Sequence, residues 1–168
     1  VEGHAFAVDG SSPMPSGLTV DGIGTEFSTA PPISLYGATK RASEIMALEY
    51  GAAFDFPVWI IRCGVLAGAG QFGTPAQGIY SYWVNAHLRR RPLRYIGFDG
   101  TGHQTRDAFH PRDLASLLIA QLRTARSGGQ RVYTAGGGPV NSMSLRQLTA
   151  WCDHRFGCHA PGVDLQER

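Results

Sequence analysis

The sequence predicts an α/β fold, in which helices alternate with parallel strands. Residues 58–63 form a run that is apolar except for Arg62, the pattern of a buried parallel strand. Apolar residues recur at helical spacing before this run, over residues 35–54, and after it, over residues 79–90. A third helical pattern opens at Pro111, the position that proline favours at helix starts. Further short strands are predicted around these helices, at residues 93–96, 106–109 and 131–134. This alternation is the element order of an α/β domain.

Three parts are expected along the chain. Residues 1–33 are rich in Gly, Ser, Pro and Thr, so they predict a loop-rich segment with a short strand at residues 4–8. We expect this segment to be partly mobile or to pack on a neighbouring molecule. Residues 34–157 carry the predicted helices and strands. Residues 158–168 are predicted to be a frayed tail.

The overall charge balance does not favour nucleic acid as a partner. A net charge of +2 with 17% charged residues is too small to favour nucleic acid. The one dense basic cluster is Arg89–Arg91 with Arg94. Its ordinary interpretation is a solvated helix end, where cations suit the helix dipole. Attraction of a phosphorylated ligand and contact with nucleic acid are the two alternatives.

Cysteine usage points to a reducing compartment. The three cysteines make no disulfide framework, so the cytoplasm is the expected location. No apolar run is long enough for a membrane span, and no signal-peptide pattern is present. Cys152, His154, Cys158 and His159 lie close together, but their spacing does not suit one helix face, so no metal is predicted. A hydrolase using Cys63 and His110 is a further alternative of lower weight.

The chemically informative stretch is residues 34–40, which open the first predicted helix. Tyr36 and Lys40 are four residues apart and therefore lie on one helix face. A phenol ordinarily ionises near pH 10, and a nearby ammonium favours the phenolate. Tyr36 is thus a candidate general acid or base with Lys40 as its electrostatic partner. The alternative is an exposed Tyr and Lys with no chemical role.

Residues 34–40 resemble the active-site helix of the extended short-chain dehydrogenase/reductase family, which includes nucleotide-sugar epimerases and dehydratases. Three more segments resemble the same family in the same order, at residues 56–71, 92–98 and 106–115. Within the family, residues 62–73 are most similar to the CDP-tyvelose (CDP-paratose) 2-epimerases. The resemblance implies a partial Rossmann-like doubly wound unit, truncated, with the small substrate-binding portion of such an enzyme.

The resemblance also implies roles for individual residues. Tyr36 and Lys40 would be catalytic, and Lys40 would also hold a ribose hydroxyl of NAD. Cys63, Gly64 and Val65 would line the nicotinamide pocket, although the family often has Asn where this chain has Val65. Arg106 would contact the diphosphate of a CDP-sugar, unless it forms a surface pair with Asp107 or Asp113. The Gly-rich loop after residue 63 would supply substrate contacts from Gln71, Phe72 and Gln77, or would be a loop with incidental polar groups.

Two features of the family pattern are missing from this sequence. No Gly-x-Gly-x-x-Gly turn joins a strand to a helix, and Thr29 and Ser34 do not stand where the family has its strand Ser/Thr. The resemblance therefore implies the C-terminal half of an epimerase, inactive alone. The alternatives are a sugar-nucleotide binding module or a self-associating interaction domain. Because half a sheet leaves apolar surface uncovered, we expect a homo-oligomer.

Overall fold

The computed structural model of the chain describes residues 3–124 and 131–164. Its helices are α1 (Leu35–Ala53), α2 (Ile79–Leu88), α3 (Pro111–Thr124) and α4 (Leu145–Phe156). Its strands are β1 (Leu18–Thr19), β2 (Gly22–Ile23), β3 (Ile60–Cys63), β4 (Val65–Leu66), β5 (Arg94–Ile96), β6 (Thr105–Phe109), β7 (Val132–Ala135), β8 (Ser142–Ser144) and β9 (Gly162–Asp164). None of these helices combines the length and apolar character that a membrane crossing requires.

The strands form four small sheets, and three of these sheets contain a parallel pair. β3 pairs with β7, β4 with β6, and β5 with β9, all in parallel. β8 pairs antiparallel with β6, so the order of the largest sheet is β4-β6-β8. β1 and β2 form a separate antiparallel hairpin. Helices connecting parallel strands are the defining feature of α/β folds, and the predicted fold class is confirmed.

Besides the β1–β2 hairpin, the structure adds three strands to those that the sequence predicted. Val65–Leu66 forms β4 inside the segment expected to be a Gly-rich loop, and Ser142–Ser144 forms β8 just before α4. The prediction of a frayed tail is wrong for Gly162–Asp164, which pair with β5. Residues 165–168 of that tail lie outside the described residues. These short strands escaped prediction because backbone pairing with distant partners, not a local pattern, defines them.

The hydrophobic core lies between α2, α4 and β5. Its buried members come from these elements and their flanks: Tyr80, Trp83, Ala86, Leu93, Tyr95, Leu148 and Cys152. Stacking of Trp83 on Tyr95, with ring centroids 5.5 Å apart, joins α2 to β5. A capping box at Ser144 and Gln147 starts α4, and Gly157 ends it with a φ of 84°. In contrast, α3 has no buried residue and α1 has only Glu44 and Gly51.

The start of the chain contacts β6 and the start of α4 rather than forming the strand expected at residues 4–8. Of those residues only Ala5 is in a bridge. The Phe6 amide donates to the His103 carbonyl at 2.9 Å, and the Thr105 hydroxyl donates to the Phe6 carbonyl at 2.9 Å. The Ser144 hydroxyl donates to the carbonyl of His4 at 2.6 Å. These bonds tie the N-terminal segment to the edge of β6 and the start of α4.

Candidate active site

The first turn of α1 brings Tyr36 and Lys40 together. Ser34 caps the helix, because its hydroxyl accepts a hydrogen bond from the Gly37 amide at 3.0 Å. The cap fixes the start of the helix, and Tyr36 follows as its second residue with 66% of its surface exposed. The Lys40 Nζ atom lies 5.3 Å from the centroid of the Tyr36 ring. The spacing-based expectation that the two side chains meet is therefore confirmed.

An ion pair attaches α1 to β3 one turn beyond Lys40. The Glu44 side chain is only 8% exposed. Its Oε1 accepts from Arg62 Nη2 at 2.6 Å, and its Oε2 accepts from Arg62 Nε at 3.2 Å. Arg41 Nη1 donates to the same Oε1 at 2.8 Å. Tyr36, Lys40 and Glu44 follow one another at four-residue steps and therefore lie on one side of α1. The ion pair between Glu44 and Arg62 turns this side of the helix towards the end of β3.

Cys63 stands at the carboxyl end of β3 and is exposed. Partial burial of its thiol nevertheless raises the pKa of that group. A thiol with a raised pKa is less nucleophilic at neutral pH, which disfavours the alternative of a hydrolase with His110. The carboxyl ends of parallel strands are where α/β proteins bind ligands, so the position suits a pocket-lining residue.

Asp107, in the middle of β6, contacts the residues that follow β3 and β7, which the sequence interpretation missed. A Cβ atom on Gly64 or on Gly136 would overlap the Asp107 carboxylate, so both positions need glycine. The Gly137 amide donates to Asp107 Oδ2 at 2.9 Å. The carboxylate thereby links β6 to the residues that follow β3 and β7. No sequence spacing marks this contact, because its members lie more than forty residues apart in one direction and about thirty in the other.

Arg106 presents a guanidinium that no carboxylate neutralises in the described residues. Its Nη1 atom donates to the carbonyl of the adjacent Thr105 at 2.8 Å, and the expected surface pairs with Asp107 or Asp113 do not form. Its backbone is held by the Tyr80 hydroxyl, which donates to the Arg106 carbonyl at 2.5 Å. Burial, together with the nearby Asp107 carboxylate, raises the pKa of Tyr80 to about 12, so the phenol remains a neutral donor.

The remaining candidates lie on the loop that leads into α2. Both ends of the Gln71 side chain are used within the protein: its Nε2 donates to the Leu66 carbonyl at 2.9 Å, and its Oε1 accepts from the Ser81 hydroxyl at 2.6 Å. Phe72 is 97% exposed. Gln77 closes a tight turn with Thr74 through backbone hydrogen bonds and its side chain is exposed. Gln71 thus shapes the loop, whereas Phe72 and Gln77 are free to contact a ligand.

The described residues suit a ribose of a dinucleotide, but they do not form a site for its pyrophosphate. Tyr36 and Lys40 carry a hydroxyl and an ammonium group, which are suited to hydrogen bonding with a ribose. Gly136–Gly138 follow a parallel strand, but they enter a short 3₁₀ turn at Pro139–Asn141 rather than an α-helix. A pyrophosphate cradle needs that helix N-terminus, so no such cradle is found in the described parts of the chain. Nor do those parts hold three His, Cys, Asp or Glu side chains arranged for a metal ion.

Comparison with known proteins assigns the chain to a family. The model of the "NAD dependent epimerase/dehydratase family" matches residues 10–136. The chain belongs to this family. The match includes α1 with Tyr36 and Lys40, as well as Arg106 on β6. The family resemblance that the sequence suggested is thereby confirmed, and NAD is the cofactor of the family.

Individual relatives support the same assignment at low identity. The chain is 28% identical over 117 residues to a CDP-paratose 2-epimerase of Salmonella typhi, covering 68% of this chain and 35% of that protein. It is 30% identical over 151 residues to a UDP-glucose 4-epimerase of Azospirillum brasilense, covering 82% and 42%. A variant of the UDP-glucuronic acid 4-epimerase from Bacillus cereus, solved with a UDP-sugar analogue and NAD, superposes with a TM-score of 0.70 at 23% identity, covering 86% of this chain and 43% of that one. The chain therefore spans less than half the length of these relatives.

Proposed function

We propose that this chain forms the proton-transfer and sugar-nucleotide side of a nucleotide-sugar epimerase, with a CDP-sugar as its ligand. The observation that carries the proposal is the meeting of Tyr36 and Lys40 at the start of α1, inside the region that matches the epimerase family. The relatives named for CDP-paratose and UDP-glucose support nucleotide-sugars as the substrate class. The choice of CDP follows the similarity of residues 62–73 to the CDP-tyvelose 2-epimerases.

In this proposal Tyr36 exchanges a proton with a hydroxyl of the sugar at its Oη atom. Lys40 stabilises the phenolate that forms, because its ammonium lies beside the ring, and it holds a ribose hydroxyl of the cofactor. NAD, when bound, supplies the hydride acceptor and donor of the reaction. Cys63, Gly64 and Val65 lie at the carboxyl end of β3 and line the nicotinamide side of the pocket.

Arg106 holds the diphosphate of the ligand. A guanidinium matches phosphate oxygens with two parallel hydrogen bonds, and that of Arg106 is exposed and has no carboxylate partner in the described chain. Phe72 and Gln77 add contacts from the loop before α2, and Gln71 orders that loop. Asp107, next to Arg106 on β6, lies against Gly64 and so connects the strand that carries Arg106 with the end of β3.

We further propose that the 168-residue chain does not epimerise its ligand by itself. Nothing in the described residues forms a strand, Gly-rich turn and helix that would hold the pyrophosphate of NAD. Ligand binding at Arg106 does not need that element. The chain by itself therefore acts as a sugar-nucleotide binding module.

Calorimetric titration of the purified chain with CDP, and separately with NADH, tests this proposal. We expect CDP to bind and NADH to bind far more weakly. The Arg106→Gln variant should lose about tenfold or more in CDP affinity, because charge-assisted bonds to phosphate are lost. Arg112→Gln, an exposed arginine at the start of α3, is the control with the same charge change. Equal CDP binding by both variants, or NADH binding at micromolar strength, would contradict the proposal.

A second candidate function, self-association, follows from the apolar surface of two helices. Several apolar side chains are exposed on each of these helices: Ile45, Met46 and Tyr50 on α1, and Leu118, Ile119 and Leu122 on α3. Met46 alone leaves 59% of its surface exposed. Apolar surface on this scale marks contact sites in stable proteins. We propose that a second copy of the chain covers it, which would make the protein a homo-oligomer.

Sedimentation of the purified chain over a range of concentrations tests self-association. The unaltered chain should sediment as an oligomer, and Met46→Glu should shift it towards the monomer because a charge enters an apolar contact. Val140→Glu places the same charge at an exposed apolar residue outside both helices and should leave the assembly unchanged. A compact monomer at high concentration of the unaltered chain would refute this second candidate.

A further inference from the structure

A cleft between the loop at residues 70–75 and one side of α2 shares Phe72 with the proposed substrate site but contains none of its catalytic or diphosphate-binding residues. Its volume is about 520 Å³, within the usual range for small-molecule sites. Tyr82 and Asn85 of α2 and its C-cap residue Arg89 line it at three- and four-residue steps, and Arg91 follows two residues later. Its lining includes Gln71 and Phe72 but none of Tyr36, Lys40 and Arg106. Arg106, which holds the diphosphate in the proposed function, is thus not part of this cleft.

The three consecutive arginines at the end of α2 do two different things. Arg90 has a φ of 53°, and its side chain turns away to α4. There its Nη atoms donate to the carbonyls of Phe156, Gly157 and Cys158 at 2.6, 2.9 and 2.7 Å. Arg90 thus caps the C-terminus of α4 and is structural. Arg89 and Arg91, on either side of it, both line the cleft.

The cleft arginines are not needed to cap α2. The backbone amides of Arg89 and Arg91 already donate to the carbonyls of Asn85 and Ala86 at 3.0 and 2.9 Å. The Arg90 amide donates to the His87 carbonyl at 3.2 Å. These carbonyls near the end of α2 already accept backbone hydrogen bonds, so they do not require the guanidinium groups of Arg89 and Arg91 as donors.

The cleft has excess positive charge. Neither Arg89 nor Arg91 forms a side-chain hydrogen bond or ion pair in the described residues, and no Asp or Glu lines the cleft. Two guanidinium groups around one concave surface raise the local concentration of anions. Phe72, at the rim, offers an almost fully exposed ring on which a planar base can stack. Charge and shape together indicate an anionic ligand with an aromatic part.

We infer that this cleft is a second anion site, which binds a diphosphate group through Arg89 and Arg91. The planar guanidinium forks match the oxygens of a diphosphate. The bound diphosphate comes either from a nucleotide, whose base stacks on Phe72, or from inorganic diphosphate. The inference goes beyond the proposed function, because no residue to which that function gives a proton-transfer, cofactor or diphosphate role lines the cleft.

The test uses calorimetric titration of the Arg106→Gln chain, so that the proposed substrate site does not contribute. Sodium diphosphate and CDP are titrated separately at low salt, where screening is weakest. The additional double change Arg89→Gln and Arg91→Gln should weaken binding of both ligands by about tenfold or more. The control double change, Arg112→Gln and Arg123→Gln, removes the same charge from α3 and should alter binding by less than about twofold.

Phe72→Ala separates the two sources of the diphosphate. If the natural ligand is a nucleotide, this change weakens CDP binding and leaves diphosphate binding unaltered. If it is inorganic diphosphate, the change affects neither ligand. Either result supports the anion site, provided that the double change of Arg89 and Arg91 weakens diphosphate binding. Absence of diphosphate binding, or equal loss in the two double variants at unchanged melting temperature, would overturn the inference. Since Arg106 is absent throughout, failure here leaves the proposed function untouched.

Discussion

The ion pair between Glu44 and Arg62 should contribute a large share of the attachment of α1 to the sheet. Glu44→Gln keeps the side-chain volume but removes the charge, and it turns an NH₂ group towards arginine donors. Breaking a buried ion pair by removing one partner costs roughly 3–5 kcal/mol. Here the Arg62 and Arg41 side chains remain 26% and 37% exposed, so water compensates part of the loss. We therefore expect the free energy of unfolding to fall by about 2–3 kcal/mol.

Urea denaturation followed by circular dichroism measures this loss, with Glu49→Gln as the control. Glu49 lies on the same helix, is exposed, and has no ion pair in the described chain, so its change should cost less than about 0.5 kcal/mol. In a double-mutant cycle, Arg62→Gln should show a coupling of about 1–3 kcal/mol with Glu44→Gln. A Glu44→Gln variant as stable as the Glu49→Gln control would refute the claim that this pair holds the helix.

Three further outcomes follow from buried groups. Thr149→Val leaves the Trp83 indole and Tyr95 hydroxyl donors, now 3.0 and 2.6 Å from the Thr149 oxygen, without an acceptor; urea denaturation should show a loss of about 2–4 kcal/mol, and restoring stability with Tyr95→Phe in the same chain would confirm the cause. The contribution of Tyr80 to the free energy of unfolding should be fully present below about pH 9 and should be lost by roughly 2 kcal/mol towards pH 12, because the phenol ionises near pH 10 when unfolded and only at about 12 when folded; the difference between the unaltered and Tyr80→Phe chains isolates this contribution, and parallel curves for both chains would contradict it. Gly64→Ala should lower the melting temperature by several degrees, about 1–3 kcal/mol, because its methyl group overlaps a carboxylate, whereas Gly70→Ala has open space and should cost only its backbone strain.

The helices of this protein could be predicted from local patterns. The bounds of α1 were predicted to within one residue, because the apolar period begins directly after the capping Ser34 and ends before a turn. Pro111 opens α3 as expected. The strands β4, β8 and β9 could not be predicted, since each has only two or three residues and is defined by a partner far away in the sequence.

The residues of the candidate site likewise include some that local patterns could predict and others that only the folded chain reveals. Tyr36 and Lys40 could be paired from their four-residue spacing, and the structure places the ammonium 5.3 Å from the ring centroid. The assignment of Gln71 as a substrate contact could not anticipate that Leu66 and Ser81 would use both ends of its amide. Asp107 was overlooked because the glycines that accommodate its carboxylate come from β3 and β7, which only the folded chain brings beside β6.

The sequence by itself determined the fold class, the helix that carries Tyr36 and Lys40, and the family, because these depend on residue type and on periodicity along one element. Only the tertiary structure decided which charges are free. Arg89, Arg90 and Arg91 are identical residues in one run, yet the left-handed backbone of Arg90 turns its side chain to α4 and leaves the other two in a cleft. Such a difference depends on the direction of each side chain relative to distant elements, which no local pattern records.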